Sequence, residues 1–448
     1  MNFRDTIKRI DGEGKLIRIK KPVSTKYQIP AIIKHYDGKN TVYFENVIRP
    51  DSIVLYNIPV VANLLGSNDL FFNGIGIKME EWNQRMNYYF NNLGQRKLVK
   101  NNFKYQRPDL DDIPILTHFE KDGGPYIASA LIMAEYKGKK NVSFHRMMKI
   151  DKNKLVARIV HRDLHRMMEE AKEDFPVAVC IGNRPSVLVA GATSKGYDID
   201  ELEIASAIER RPIEVVKGKN KIEYPADTEI VLEGRFLYNK EKNDWERATE
   251  GPFVDLTEKY DVTRMEPIIE IDRIATQKHI FPIYHALLPS LTEHKLLMGM
   301  PRTPTIYSSL TEGRIEVEKI YPTPEGSGWL DIVVSIDKKT DEDGKKAIEA
   351  VKKGHPSAKR ITIVDKDVDV TNINEVQRAV VMYGYGIERE PHVSSNVKIS
   401  TLDPMASPDG KGRKLCIDAT IPLGISETEK GKFERAKIPF DLNIDDYL

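Results

Sequence analysis

Apolar positions along this chain follow two periods, and their alternation divides it into three stretches. In the first, residues 3–10 space their apolar side chains as a short helix closed by Gly12 and Gly14, and residues 15–20 alternate as a strand. IPAIIKHY, TVYFENV, VVANLL and the aromatic-rich helix EEWNQRMNYYFNNL follow. The polar run NNFKYQRPDLDD is the most linker-like segment of this third, and it sets the end of a first domain over 1–110.

From 111 to 300 short strands dominate. PYIASALIMAEY, KNVSFHRMMKI and KLVARIV are strand candidates, joined by turns at 137–140 and 151–153. Helices are expected over 163–172 and 200–209, on either side of the apolar run PVAVCIG. From 301 to 448 the pattern becomes strand–helix–strand–helix in WLDIVVSI, KKAIEAVKK, RITIVD and NEVQRAVVMYG. Ala347, Ile348, Ala350 and Val351 form an apolar stripe opposite a lysine face, the sequence cause of a helix laid on a sheet. The expected class is therefore a multidomain α+β or α/β protein, with N- and C-terminal α/β domains flanking a β-rich centre.

Composition narrows the function. The 448 residues carry 68 Lys and Arg against 67 Asp and Glu, which argues against a chain that coats nucleic acid or an acidic membrane. A local basic pocket remains open. Cys180 and Cys416 lie in apolar, strand-like runs and read as buried thiols, which excludes a disulfide scaffold or a CxxC site. The charged N-terminus lacks a signal-peptide core and no run of 18 apolar residues exists, so a cytoplasmic location is expected.

Several tempting motifs fail. DKDVDVTNINE has Val370 and Val376 where a calcium loop needs Gly and Glu, and reads better as a strand end followed by a helix cap. His161 and His165 lie four apart without an HExxH. Gly74, Gly76, Gly410 and Gly412 are too sparse for a nucleotide fingerprint.

What survives is polar chemistry where strands prefer apolar residues: Asn141, His145 and Arg146 in KNVSFHRMM, Arg158, His161 and Arg162 in ARIVHRD, and Glu250 and Asp255 around a Gly-Pro turn in EGPFVD. Taken singly these are ordinary ion pairs or solvated carboxylates. In the order THFEKDGGPYI, NVSFHRM, RIVHRD, FPVAVCIGN, PIEVVKGK, EIVLEGR and EGPFVD, they resemble the UbiD family of decarboxylases, which use prenylated flavin mononucleotide (FMN). The likeness extends from GKLIRIKKPV to IVDKDVDVTNINEV, nearly the whole chain.

The resemblance implies a split β-barrel of flavin-reductase type over 111–300 and a C-terminal α/β domain over 301–448. It implies a catalytic set of Arg146, Glu250 and Asp255: Arg146 orients the substrate carboxylate, Glu250 positions Arg146, and Asp255 delivers the proton that replaces CO₂. Cofactor contacts carry over to Phe144, His145, Arg146, Arg158, Ile159, Val160, Arg162, Asp163 and Lys414. A divalent metal, Mn²⁺ or Mg²⁺, is expected on Asn141, His161 and Glu201, with K⁺ nearby; oxygen and imidazole donors suit such an ion on a phosphate.

The chain departs from the family's usual EGPFGDHTG by Val254, Leu256 and Glu258, and carries Asp163 where Gly is common, which alters the pocket wall and the loop's backbone freedom. The expected substrate is an α,β-unsaturated acid, trans-anhydromevalonate 5-phosphate of archaeal isoprenoid synthesis. The alternatives are a 4-hydroxybenzoate-type acid of quinone synthesis, an inactive flavin-binding assembly subunit, and a simple FMN reductase. A flavin prenyltransferase is the implied cofactor supplier, and a homo-oligomer is expected.

Overall fold

The computed structural model describes residues 1–385, 390–434 and 436. Helix Phe3–Gly12 starts where the Asn2 side chain accepts from Asp5 N at 2.7 Å, and it buries Phe3, Ile7 and Ile10. Beneath it lies a four-stranded sheet in which Leu16–Ile19 and Thr41–Phe44 pair in parallel and Val60–Ala62 continues antiparallel. Its fourth strand, Tyr284–Ala286, returns from far along the chain to pair with Val60–Ala62.

The centre is a ten-stranded sheet organised on one long strand, Arg264–Gln277. That strand pairs antiparallel with Ile230–Phe236, Lys154–Ala157, Arg247–Glu250 and Phe103–Gln106. The last of these lies inside the polar run taken as a linker. Phe103 is buried there while Lys104 and Gln106 face out, so a one-sided strand had too few apolar residues to announce itself. Phe175–Ile181 is the buried opposite: it is covered on both edges, by Ile230–Phe236 and by Leu131–Tyr136, and Cys180 lies within it.

The C-terminal sheet runs in the order Val317–Pro322, Asp331–Ile336, Arg360–Asp365, Lys411–Ala419, His392–Lys398. Its three middle strands are parallel, and helix Asp343–Gly354 makes the crossover between two of them with Ala347, Ile348, Ala350 and Val351 buried, as the stripe predicts. Arg360–Asp365 is followed by helix Ile373–Tyr383, capped by Asn372, in place of any calcium loop. Between the central and C-terminal sheets run helices Thr292–Gly299 and Thr303–Glu312, held to the N-terminal helices by Trp82 Nε1 donating to Met300 O and Thr303 Oγ1.

Candidate active site

Arg146 lies just beyond strand Lys139–Phe144, at the end of a hairpin that brings it against strand Arg247–Glu250. Its Nε and Nη2 donate to Glu250 Oε1 and Oε2 at 2.8 and 2.9 Å, a bidentate fork on a carboxylate with no solvent exposure. Burial alone would weaken the guanidinium's charge, but the hydrogen bonds and field of Glu250 outweigh it and raise its pKa. The guanidinium also lies over the Phe253 ring, whose other contacts are the stacked Tyr126 ring at 3.8 Å and the edge of His118.

Two partners were not legible in the sequence. The Tyr126 hydroxyl donates to Glu250 Oε1 and accepts from Gly251 N, each at 2.9 Å, which ties the EGP turn to the carboxylate. Asp261 Oδ2 takes a second bond from Arg146 Nη2 at 2.9 Å and one from Arg264. Burial opposes the Asp261 charge, yet Arg264 and Arg146 hold its carboxyl below the usual range. The only early signal was Tyr126 inside the GGPYI string; nothing distinguished Asp261 from a loop acid.

Asp255 does not touch Arg146. Its Oδ1 accepts from Thr257 N and Oγ1 at 2.7 and 2.6 Å, while Oδ2 is uncommitted among the described residues. The loop is set by its departures from the family pattern. Val254 and Leu256 are buried, and Glu258 has φ +67°, the left-handed region that the usual Gly enters freely; its side chain pairs with Lys295 at 3.1 Å. Behind the loop, Gly123 is packed so closely on Gly251 that a Cβ there would lie 2.3 Å from Gly251 O. The adjacent Asp122 is buried with Oδ1 unpartnered, and burial lifts its pKa to about 6 despite donors from His118 N and Phe119 N and the field of Arg146.

Asn141, Ser143 and His145 face one way along their strand, by its period of two, and form a chain. Ser143 Oγ meets Asn141 Oδ1 at 2.8 Å and His145 Nε2 at 2.9 Å, and His145 Nδ1 meets Arg158 O at 3.0 Å. A ring nitrogen against a carbonyl must carry the proton, and burial holds His145 neutral with a pKa near about 4. Ser143 then has one proton for two acceptors. Glu201 opens helix Glu201–Glu209 and accepts from Val142 N at 2.8 Å. Its carboxyl is pushed well up by burial, and Asp200 and Asp163 add to the effect.

A buried carboxylate among acids, beside an amide oxygen competing for one proton, is a donor set that a hard divalent cation would satisfy. His161 is not brought to it. It lies exposed in the turn before helix Asp163–Ala171, its ring stacked on His165 at 4.1 Å. Together with Arg158, Arg247 and Arg264 it lines a separate cavity of about 240 Å³. Among the described residues no three His, Cys, Asp or Glu side chains are placed to hold a metal.

Of the residues assigned to the cofactor, Phe144 is half-buried and Ile159 buried, while Val160 is 47% exposed beside Arg162, which has no side-chain partner among the described residues. Arg158 donates to Glu266 at 2.6 Å. An exposed apolar side chain next to an uncommitted arginine suits an amphipathic ligand with an anionic end, so these residues fit a flavin nucleotide. Lys414 is buried instead, its Nζ donating to Ala358 O at 2.8 Å and to Pro356 O.

An arginine forked on a buried acid, with a second acid on an adjoining loop, can hold a carboxylate and return a proton, which suits a carboxy-lyase. Models of three domains match in series: the N-terminal domain of 3-octaprenyl-4-hydroxybenzoate carboxy-lyase over 7–100, its Rift-related domain over 93–291 and its C-terminal domain over 295–419. The chain belongs to the UbiD family of decarboxylases. Among its relatives, an anhydromevalonate phosphate decarboxylase of Methanosarcina mazei is 38% identical, over 98% of this chain and 100% of that one. Another, of Methanothermobacter thermautotrophicus, is 35% identical, over 97% and 98%. Among solved structures, the UbiD-class enzyme HmfF from Pelotomaculum thermopropionicum in complex with FMN has a TM-score of 0.91 at 31% identity, over all of both chains. An evolved dimeric form of HmfF in complex with prFMN has a TM-score of 0.87 at 30% identity. Among the described residues no helix is long and apolar enough to cross a membrane.

Proposed function

We propose that this chain is a prenylated-FMN-dependent, non-oxidative decarboxylase of trans-anhydromevalonate 5-phosphate. The observation that carries the reading is the end-to-end likeness to the Methanosarcina mazei enzyme, with Arg146, Glu250 and Asp255 all present. The prenylated flavin, when bound, supplies an azomethine ylide that activates the C=C beside the carboxylate. Phe144, His145, Arg158, Ile159, Val160, Arg162 and Asp163 would hold it, and Lys414 would join them only on leaving the Ala358 and Pro356 carbonyls. Asn141 and Glu201 would hold Mn²⁺ or Mg²⁺, with His161 joining only after its ring leaves His165, and K⁺ nearby.

The chain's own part is orientation and proton delivery. Arg146, rigidly forked on Glu250, receives the substrate carboxylate, and Asp261 must release Nη2 as it does so. The bond to the carboxylate carbon breaks, CO₂ leaves, and one proton takes its place on the substrate carbon. Asp255 supplies that proton through Oδ2, the oxygen that Thr257 leaves open. Assembly as a homo-oligomer in the cytoplasm, with cofactor from a flavin prenyltransferase, completes the reading.

The test is CO₂ release from the phosphorylated acid by protein made with and without a flavin prenyltransferase. Activity should require co-production. Turnover with plain FMN would overturn the cofactor assignment, and turnover of 4-hydroxybenzoate in place of the phosphorylated acid would move the substrate to the aromatic class.

A further inference from the structure

Arg302 follows helix Thr292–Gly299 and immediately precedes helix Thr303–Glu312. Its guanidinium lies 5.1 Å over the Trp329 ring, and its Nε is buried without a hydrogen-bond partner. The charge whose field acts on it is another cation, Arg162 of the central domain. Among the described residues neither arginine has a carboxylate in ion-pair range. His355 packs edge-on to Trp329 at 4.6 Å, donating Nε2 to Trp329 O, and it feels the charges of Arg302, Lys414 and Arg162. A chain with 67 acids has left these cations together and unneutralised.

We propose that Arg302, together with the donors that Arg162 does not give to the cofactor, forms a subsite for a phosphate monoester dianion, the phosphate of the substrate, at the junction of the central and C-terminal domains. Two guanidinium groups match the charge and the planar donor geometry that such a group requires. Arg302 stays cationic at neutral pH, since burial and then Arg162 bring it down only to about 10.

Both arginines hang on segments anchored at the reacting end. The backbone N–H of Arg158, four residues before Arg162, donates to Arg146 O at 3.1 Å. Lys295, seven residues before Arg302, pairs with Glu258 on the Asp255 loop. The end of helix Thr292–Gly299 and the 3-10 turn Met300–Arg302 carry the chain on the order of 10 Å between the two residues, a spacing that suits a short acid with its carboxylate on Arg146 and a phosphate at the far end. This subsite rests on the decarboxylase reading and adds to it the residue that selects a phosphorylated substrate.

The test uses the cofactor-loaded enzyme. Arg302→Met should raise KM for the phosphorylated acid roughly 10- to 100-fold, the loss of a charge-assisted contact, with kcat changed far less and bound prenylated FMN undiminished. Arg302→Lys should recover part of the loss. A binding arm separates failure of this subsite from failure of the substrate reading. Inorganic phosphate should alter Trp329 fluorescence in the native enzyme, and should not do so in Arg302→Met or Trp329→Phe. Phosphate binding that depends on Arg302, in an enzyme inactive on the chosen acid, upholds the subsite and moves the substrate to another phosphorylated acid. An unchanged KM in Arg302→Met, or loss of the flavin from that variant, overturns the proposal; the second result would give the cluster to the cofactor's own phosphate.

Discussion

Arg146 works as half of a pair. Breaking a buried ion pair leaves the surviving charge uncompensated, so Glu250→Ala should cost roughly 3–5 kcal/mol in stability. Glu250→Gln keeps the shape and one acceptor; it should fold with a smaller loss, yet release CO₂ roughly 100-fold more slowly or worse. Denaturant titration and CO₂ assay on both variants check this, and a fully active Glu250→Gln would remove Glu250 from the site. Tyr126→Phe should cost about 1–3 kcal/mol, because the buried Gly251 N–H loses its partner and Glu250 Oε1 keeps only the bond from Arg146 Nε. Arg146 and Glu250 could be read from their strings. Tyr126, Asp261 and Arg302 could not, because each acquires meaning only from a neighbour more than 100 residues away in sequence.

At the scale of elements, the EGPFVD loop is held by close backbone contact as much as by side chains. Gly123→Ala places a methyl group against Gly251 O and must shift the loop that carries Asp255. Activity should fall by an order of magnitude or more, the usual cost of misplacing a catalytic group by about 1 Å, with a lower melting temperature. Glu258→Gly should act oppositely. It relieves a left-handed conformation worth about 1 kcal/mol and sacrifices only an exposed ion pair, so the melting temperature should hold or rise. A clear drop would mean that the Lys295 pair does more than tether the loop. Helices 163–172 and 200–209 were legible to within a residue or so, because periodicity and caps are local. Strand Phe103–Gln106 was not, because its single buried face is supplied by strand Arg264–Gln277.

Among the described residues at the scale of the whole molecule, burial is the chief cause that holds His118 down at about 3 and His145, His294 and His355 at about 4, and it lowers His165 as well. The unfolded chain binds protons that these native sites refuse, so their contribution is intact above about pH 6.5 and is lost as pH falls toward 4. Asp122, raised by burial to about 6, runs the other way and gains as pH falls through the same window. Glu201, pushed well up by burial, runs with Asp122, so the net loss is smaller than the histidines alone would give. Urea midpoints should still drop between pH 6.5 and 4.5; a flat profile would mean that the histidines are wet.

The sequence by itself determined the class of fold, the family and the strings that carry the candidate site, since hydrophobic period, caps and motif order are properties of neighbours along the chain. It also limited the net charge to near zero. Only the tertiary structure decided where that charge is unbalanced: Arg146 is saturated by two acids, Glu201 is buried among acids, and Arg302 feels the charge of Arg162 with no acid in ion-pair range of either. Electrostatic energy depends on distance and burial, and the long-range pairings of the central sheet set both.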